Sequence, residues 1–384
     1  MLSGLNLLGQ TPIHAADDLA EINNDVASLK GSYILMSDLV LEDLTPIGSE
    51  KSPFLGTFDG NGHTITIRSF QVDTASTLTI GVGLFGRTGR GSTIKNLRVS
   101  GEVKYDSDAQ TLYLGAIAGV NAGTIRCCVS TADIHAHGGR YTAARGRGQF
   151  ALTLLASSSS GRSAYITYQD EASGGGITGL NMGVIENCYA TGHVTVSGDG
   201  HKNAGGIAGR NGYGDRNTGF IRQCYATGNI MAKDNAASRQ AGGISGLGMP
   251  GHVTHSVALN EKIETIGTRK GMTVGGIGIG YPSNIAFGVT SVNFESRGKM
   301  NNSYYRHDIL IYMEKDEEDE KNNKSGKTKK FLYPNRGKDI DYALTQTQNW
   351  WTNAKTGVLY PFGMDEKSPW QWNDDLKRPV LYWE

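Results

Sequence analysis

The sequence predicts an all-β protein built as a solenoid, in which short strands stack in successive coils. A Gly-Gly-Ile-x-Gly element followed by a short apolar strand recurs along the chain, and a unit this small cannot bury an apolar face alone. Glycine makes up 53 of the 384 residues, without a collagen period. This recurrence, the high glycine content and the agreement of apolar positions between copies are the three observations that predict the fold.

The repeat is clearest at residues 175–194 and 205–230, and a third copy lies at 114–134. Weaker copies cover 82–103, 242–263 and 275–305. The glycine that closes each first element falls at Gly86, Gly119, Gly179, Gly209 and Gly246, in steps of 33, 60, 30 and 37 residues. The long step predicts one period plus an insertion, and the others are typical of a stacked array.

Placed in register, the copies align apolar residues into columns that predict inward-facing positions one strand spacing, about 4.8 Å, apart. The columns are Ile94, Ile125, Ile185, Ile221 and Val253; Val99, Ala190, Ala226 and Ala258; and Val103, Ile134, Val194 and Ile230. Cys128, Cys188 and Cys224 share a further position, which indicates a buried stack of reduced thiols because free cysteine behaves as a small hydrophobe. A zinc site and a disulfide are the alternatives, but no Cys-x-x-Cys spacing supports zinc.

Three segments follow in order along the chain. Residues 1–31 form an N-terminal cap, with Leu19, Ile22 and Val26 at helical spacing in a helix over 15–28. Residues 32–310 form the solenoid, in which the repeat is interrupted by an insertion at 136–173. Residues 311–384 comprise a charged loop and a C-terminal cap that holds all five tryptophans, Trp350, Trp351, Trp370, Trp372 and Trp383. We expect these tryptophans to plug the open end of the solenoid, and stacking on sugar rings is the alternative.

Two sets of polar residues recur with the repeat. Asn121, Asn181 and Asn211 lie beside or one residue before glycine, which is typical of left-handed turn positions. A second set lies next to the first apolar column and is expected to form a solvated ladder of charges. It consists of Lys95, Arg126, Glu186 and Arg222.

Composition excludes several classes of function. Lys+Arg and Asp+Glu are 37 each, so the net charge of +0 gives no general attraction to nucleic acid or anionic membrane. No apolar run reaches the roughly 18 residues of a membrane span. The first ten residues lack the basic and apolar segments of a signal peptide. The chain is therefore expected to be either cytosolic or a mature form whose leader has been removed.

The insertion is the first candidate for a binding site, because loops on a rigid scaffold commonly carry function. It holds arginines that can bind carboxylates or sulfates and tyrosines that offer flat amphipathic surface. These residues are Arg145, Arg147, Arg162, Tyr165 and Tyr168. The alternative is a hairpin that folds back on the solenoid and buries the apolar run at 150–156.

A second candidate is a polar column at one repeat position, formed by Glu102, Asp133 and His193 and continued by Asn229 and Glu261. A solvated face is the simpler interpretation of this column. Stacked coils would nevertheless bring its side chains together, and carboxylates along a strand face can act as acids and bases.

Other catalytic motifs are missing from the sequence. None of the nine histidines is followed by Glu, so there is no His-Glu-x-x-His zinc motif, and there is no Gly-x-Ser-x-Gly elbow. The pairs His135 with His137 and His252 with His255 lack a third metal ligand in the sequence. No metal or other cofactor is expected.

The motif at 175–192, Gly-Gly-Ile-Thr-Gly-Leu-Asn-Met-Gly-Val-Ile-Glu-Asn-Cys-Tyr-Ala-Thr-Gly, resembles the GLUG repeat of bacterial surface proteins. Residues 54–65 resemble the opening coil that precedes such repeats, and the helix with the strand after it resembles their N-terminal cap. The resemblance runs from about Pro12 to Tyr305 and does not account for the insertion. It implies a right-handed parallel β-helix.

Such proteins are similar to large adhesins of Gram-positive and Bacteroides-type bacteria, and IgA1-specific metalloproteases carry the same repeats outside their catalytic domain. The resemblance thus implies a cell-surface or secreted adhesin that binds a host glycan or host surface protein, with no nucleic-acid partner. The alternatives are a carbohydrate-active β-helix enzyme, either a polysaccharide lyase or a glycosidase, and a non-catalytic piece of an IgA1 protease. An enzyme is disfavoured because no nucleophile or metal motif is present.

Overall fold

The computed structural model describes residues 9–72, 79–107, 109, 111–139, 171–213, 219–234, 239–248, 251–266, 284–287, 300–313, 338–353, 358–359 and 362–384. These residues fold mainly into β-strands, which form four parallel sheets and one antiparallel pair. The all-β prediction is therefore confirmed.

Three of the parallel sheets contain one strand from each successive repeat. Sheet 1 has nine strands: Thr11–Ile13, Ser32–Leu35, Thr57–Asp59, Thr93–Lys95, Thr124–Arg126, Val184–Glu186, Phe220–Arg222, His252–Thr254 and Met300–Asn301. Sheet 2 has six: Thr79–Val82, Thr111–Gly115, Glu171–Gly175, His201–Gly205, Arg239–Gly242 and Asn284–Phe287. Sheet 3 has five: Phe85–Arg87, Ala118–Asn121, Thr178–Asn181, Ala208–Asn211 and Ser245–Gly248.

Sheet 4 has fourteen strands in two arms that share the strand Arg98–Asp106. The long-strand arm contains Asp133–His137, Val194–Ser197, Ile230–Lys233, Lys262–Ile266 and Leu310–Met313. The short-strand arm contains Val129–Ser130, Tyr189–Ala190, Tyr225–Ala226, Val257–Ala258, Tyr304–Arg306 and Lys338–Ile340. Leu39–Leu41 and Thr64–Ile67 extend the sheet on the N-terminal side, and Trp370–Asn373 pairs antiparallel with Arg378–Leu381.

The chain visits sheets 2, 3, 1 and 4 in the same order in each repeat, and we call one such pass a coil. Equivalent residues of successive coils pair directly, as Ile125 does with Ile94 on one side and Ile185 on the other. The other predicted apolar columns pair in the same register and are buried. The columns predicted from the repeat are therefore confirmed.

Close approach between sheets 2 and 3 explains the glycines of the repeat. A Cβ atom at Gly209 would lie 2.6 Å from the backbone nitrogen of Gly174, and one at Gly115 would lie 2.5 Å from the Cα of Thr178. Real side chains do not tolerate such distances, so these positions require glycine. The Gly-Gly-Ile-x-Gly element is thus the part of each coil where two backbones nearly touch.

The N-terminal cap packs on the core as expected, but its helix is shorter than predicted. Helix α1 spans only Ala16–Ala20, and 3₁₀ turns follow at Glu21–Asn23 and Ser28–Lys30. The carboxylate of Asp25 accepts a hydrogen bond from the backbone nitrogen of Ser28 at 2.7 Å, which competes with helical pairing. Val26 is consequently 61% exposed, and Leu29 supplies the buried contact instead.

The asparagines predicted to occupy left-handed turns form a buried ladder instead. The amide of Asn121 donates to the Oδ1 of Asn181 at 2.9 Å, and that of Asn181 donates to Asn211 at 2.9 Å. All three lie in strands of sheet 3 and are 0% exposed. A left-handed residue recurs instead in the turn between sheets 1 and 4, where φ is 47–54° at Asn96, Cys127, Asn187, Gln223, His255 and Asn302.

The cysteine stack agrees with the prediction. Cys128, Cys188 and Cys224 are 0% exposed, and all four cysteines of the chain are free thiols. The backbone nitrogen of Cys128 donates to the Sγ of Cys188 at 3.4 Å, so neighbouring coils are in contact at this position. Burial raises the pKa of Cys127, which lies outside the stack, to about 12.

The prediction that the tryptophan-rich segment plugs the open end of the solenoid is wrong for residues 362–384, which lie along its side. Helices α2 at Tyr342–Thr345 and α3 at Gln348–Thr352 follow the terminal strand Lys338–Ile340. From there the segment returns along the outside of the short-strand arm, and Trp383 reaches Gly62 near the N-terminal end. There Trp370 packs against the rings of Tyr189 and Tyr225, so the segment has aromatic partners along the side of the stack.

Candidate functional site

The outward side chains of the long-strand arm form the main exposed polar surface next to the insertion. We call this surface the outer polar face. It consists of Glu102, Lys104, Asp106, Asp133, His135, His137, His193, Thr195 and Asn229. Along each strand these outward residues alternate with buried ones, because successive side chains of a strand point to opposite faces. The buried residues form the column Val103, Ile134, Val194 and Ile230.

The coils place the side chains of the predicted polar column next to one another. Three of these side chains accept hydrogen bonds from the backbone of the following coil. The carboxylate of Asp133 accepts a hydrogen bond from the backbone nitrogen of His193 at 2.7 Å. The Nδ1 of His193 accepts one from the nitrogen of Asn229 at 2.9 Å, and the Oδ1 of Asn229 accepts one from the nitrogen of Lys262 at 3.2 Å. Each side chain therefore satisfies a backbone donor of the next coil.

Two further histidines of the face lie near carboxylates. The Nε2 of His135 is 3.8 Å from Glu102, and that of His137 is 4.0 Å from Asp106. The Nδ1 of His137 is also 2.8 Å from the hydroxyl of Ser197. The side chains of His135 and His137 are 41% and 53% exposed, so both imidazoles are accessible to a ligand.

The insertion leaves the coil and returns to it at one point. A Cβ atom on Gly139 would lie 2.8 Å from the carbonyl carbon of Glu171, so the two ends are adjacent. In the next coil only residues 198–200 connect the equivalent strands. The strands run to His137 and resume at Glu171, slightly inside the predicted limits of 136 and 173. The five predicted binding residues, Arg145, Arg147, Arg162, Tyr165 and Tyr168, lie outside the described residues.

A buried ion pair fixes the return point of the insertion. The carboxylate of Glu171 accepts hydrogen bonds from the hydroxyl of Tyr113 at 2.5 Å and from Arg210 at 2.8 Å. Both members of the pair are almost completely buried, and the guanidinium of Arg210 also lies over the ring of Tyr213 at 4.6 Å. Burial and the neighbouring Glu171 raise the pKa of Tyr113 well above its usual value. No pattern in the sequence marks this pair, because its members are far apart in the chain.

Two cations point into the core on sheet 2. Lys202 and Arg239 pair in register and occupy the column that holds Leu112 and Ala172 in earlier coils. The ammonium of Lys202 donates to the carbonyl of Gly200 at 2.6 Å. Burial lowers the pKa of Lys202 to about 7, although Asp199 and Asp234 oppose this shift.

The described residues contain no cluster of three or more His, Cys, Asp or Glu side chains arranged to hold a metal ion. Within the same part of the chain, no helix is both long and apolar enough to span a membrane. The outer polar face itself presents carboxylates, imidazoles and a lysine, which can form hydrogen bonds and ion pairs.

The GLUG motif family matches residues 171–197, which run from the return point of the insertion through the following coil. The fold is similar to the crystal structure of a putative immunoglobulin A1 protease from Bacteroides ovatus, with a TM-score of 0.55 and 18% identity over 98% of this chain and 93% of that one. A second structure, called IgA1 Protease, has a TM-score of 0.41 and 13% identity over 86% of this chain and only 21% of its own. No curated protein matches the chain.

Proposed function

We propose that this chain is a non-catalytic binding module of a bacterial surface or secreted protein, an adhesin-like unit that binds a host glycan or host surface protein. The observation that carries the proposal is the adjacency of the outer polar face and the insertion. His137 is the last strand residue before the insertion, and Gly139 contacts Glu171 where the insertion returns. A rigid face and the point where the insertion leaves and rejoins the coil thus adjoin each other on the scaffold.

The scaffold we infer is a right-handed parallel β-helix. Its support is the constant order of sheets in each coil, together with the strong preference of parallel strand crossovers for the right-handed sense. Such a stack holds successive outward side chains about 4.8 Å apart, a spacing that suits the repeated polar groups of an extended ligand. The match of residues 171–197 to the GLUG motif supports a bacterial surface context.

The ligand chemistry follows from the two parts of the site. Arg145, Arg147 and Arg162 of the insertion would bind carboxylates or sulfates, and Tyr165 and Tyr168 would supply flat contact surface. His135 and His137 lie on the strand that leads into the insertion and are exposed enough to donate or accept hydrogen bonds to a ligand. We therefore favour an acidic glycan or an acidic patch on a host protein.

Catalysis by a carbohydrate-active enzyme has less support. Asp133 and His193 of the polar column already accept hydrogen bonds from backbone nitrogens, which holds them in fixed structural roles. A general acid or base must instead be free to exchange a proton with the substrate. Glu102, the remaining member of the predicted set, lies 3.8 Å from His135 on the exposed surface.

The experiment first identifies a ligand by screening the purified protein on arrays of glycans and host proteins. Residues 138–170 are then replaced by the Gly-Asp-Gly turn that links the same strands in the next coil. A second variant carries His135→Ala and His137→Ala. The matched control is His14→Ala, which removes an exposed imidazole from the N-terminal cap, away from the face.

We expect the insertion variant to keep its melting transition and lose binding by about ten-fold or more. The double histidine variant should weaken binding to a smaller extent, and the His14 control should bind normally. Undiminished binding by both the insertion variant and the double variant would show that the ligand site lies elsewhere.

A further inference from the structure

The outward residues of the short-strand arm form an apolar column that we call the tyrosine flank: Val129, Tyr189, Tyr225, Val257 and Tyr304. The rings of Tyr189 and Tyr225 stack at 4.7 Å with an interplanar angle of 5°. All five residues are at most 9% exposed, although they point away from the core. Another part of the chain must therefore cover them.

Residues 362–384 cover the Tyr189 and Tyr225 part of the flank with both apolar and polar contacts, while Trp350 and Trp351 of helix α3 pack on Tyr304 and Tyr225. Trp370 and Leu381 are 0% exposed, and the indole of Trp370 lies 5.9 Å from the ring of Tyr225. The hydroxyl of Tyr225 donates to the backbone carbonyl of Pro379 at 2.7 Å, and the indole nitrogen of Trp383 donates to the carbonyl of Cys127 at 3.2 Å. The flank thus contacts both the side chains and the main chain of this segment.

The N-terminal end of the flank is basic, and it pairs with acids of the segment. Lys95 and Arg126 bind the carboxylate of Glu366 at 2.5 Å and 2.7 Å. Arg98 pairs with the side chain of Glu384, which also accepts a hydrogen bond from the hydroxyl of Tyr189 at 2.6 Å. Although burial opposes it, Lys95 and Arg126 lower the pKa of Glu366 below its usual value.

We propose that the tyrosine flank is a recognition groove for acidic, tryptophan-bearing peptide segments, and that residues 362–384 occupy it as an intramolecular ligand. The groove combines a stacked aromatic surface, hydrogen bonds to the peptide main chain and a basic rim. These are the features that recognise a short peptide. Because residues 362–384 are part of the same chain, they compete with any free peptide at a high effective concentration. A free peptide therefore binds only when the contacts between residues 362–384 and the flank are weakened.

The test uses the full chain with Glu366→Lys and Glu384→Lys, which reverses both acids that contact the basic rim. The probe is a fluorescent synthetic peptide of residues 362–384 with the natural sequence. The matched control chain carries Asp374→Lys and Asp375→Lys, the same change of charge at exposed positions of the same segment.

We expect the peptide to bind the Glu366/Glu384 variant saturably, about ten-fold or more tightly than it binds the natural or control chain, and to raise its melting temperature. A peptide with glutamine at both positions should bind weakly. Equal binding to the variant and control chains, or equal binding by the glutamine peptide, would overturn the proposal.

A measurement on the natural chain covers the case in which the charge-reversed variant does not fold. Hydrogen exchange is followed in low and high salt for the pair Trp370–Asn373 and Arg378–Leu381 and for sheet 1. We expect salt to accelerate exchange in the antiparallel pair much more than in sheet 1, because the ion pairs that hold the segment are partly exposed. The same salt response in both regions would contradict a separable, electrostatically held segment.

Discussion

The indole nitrogen of Trp370 donates a 2.9 Å hydrogen bond to the side-chain oxygen of Asn187, 183 residues earlier in the chain. Asn187 lies at a left-handed turn with φ of 52°, so the bond joins the C-terminal segment to the turn between sheets 1 and 4 of a central coil. The C-terminal segment therefore stabilises the middle of the stack from its side.

Replacing Trp370 with Ala should lower the free energy of unfolding by about 3–5 kcal/mol, because a fully buried indole leaves a large cavity. Trp372 is only partly buried, and its indole bonds locally to Asp374, so Trp372→Ala should cost much less. Urea unfolding of both variants measures the difference. Equal losses would contradict the role assigned to the flank.

The asparagine ladder should be sensitive to any break. In Asn181→Ala the buried amide of Asn121 and the buried carbonyl of Asn211 each lose a partner, which should cost about 2–4 kcal/mol. Asn24→Ala removes an exposed asparagine with φ of −62° from the N-terminal cap and serves as the control. If thermal melting shows equal losses for the two variants, the ladder does not contribute the expected stability.

The buried Lys202 should make stability rise with pH. Its folded pKa of about 7 lies below the unfolded value of 10.5, so the unfolded chain binds more protons between these values. Asp199, Asp234 and Glu171 favour the charged amine, whereas burial and Arg239 oppose it. Below pH 7 the cost of burial is constant, and it is relieved as the pH rises from 7 towards 10.5.

Lys202→Met should therefore increase stability at pH 7 and reduce the rise in stability between pH 7 and 10. The gain should be on the order of 1 kcal/mol or more, since the variant removes an unfavourably buried ammonium. The free energy of unfolding, measured at several pH values for the natural chain and for Lys202→Met, gives the contribution of Lys202. An unchanged slope in the variant would show that Lys202 does not titrate in this range.

The left-handed turn offers a stabilising substitution. Gln223 has φ of 54°, a conformation that asparagine and glycine adopt at lower cost than glutamine. Gln223→Asn should raise stability by about 0.5 kcal/mol, because it places at this turn the residue type that Asn187 provides at the equivalent position of the preceding coil. Differential scanning calorimetry would detect the shift, and a lower melting temperature would argue against backbone strain at this turn.

Positions that repeat in every coil could be predicted from the sequence, because the same physical requirement recurs. The Ile125 column, the Cys188 stack and the glycines where the backbones of sheets 2 and 3 nearly touch all belong to this group. Asn181 is recognisable as a repeated position, but the prediction of a turn role for it is wrong, since asparagine suits both turns and side-chain ladders. Repetition identifies a column without specifying what its side chains bond to.

Contacts between distant, non-repeating segments could not be predicted. The pairing of Glu366 with Lys95 and Arg126 depends on where residues 362–384 lie, and nothing periodic marks that path. Charged residues were expected in solvent, so Lys202 and the Glu171–Arg210 pair were not identified as buried. Within the candidate site, the column of Asp133 and His193 was found by its register, while its backbone hydrogen bonds required the structure.

The most direct test of the central claim measures binding and turnover on the same ligand. The full-length protein is incubated with an excess of the glycan or host protein that it captures, and both the bound fraction and the length of the ligand are followed over time. A non-catalytic module should bind its ligand saturably and leave it intact throughout. Progressive shortening of the ligand, in proportion to the amount of protein added, would contradict the account and identify the chain as an enzyme.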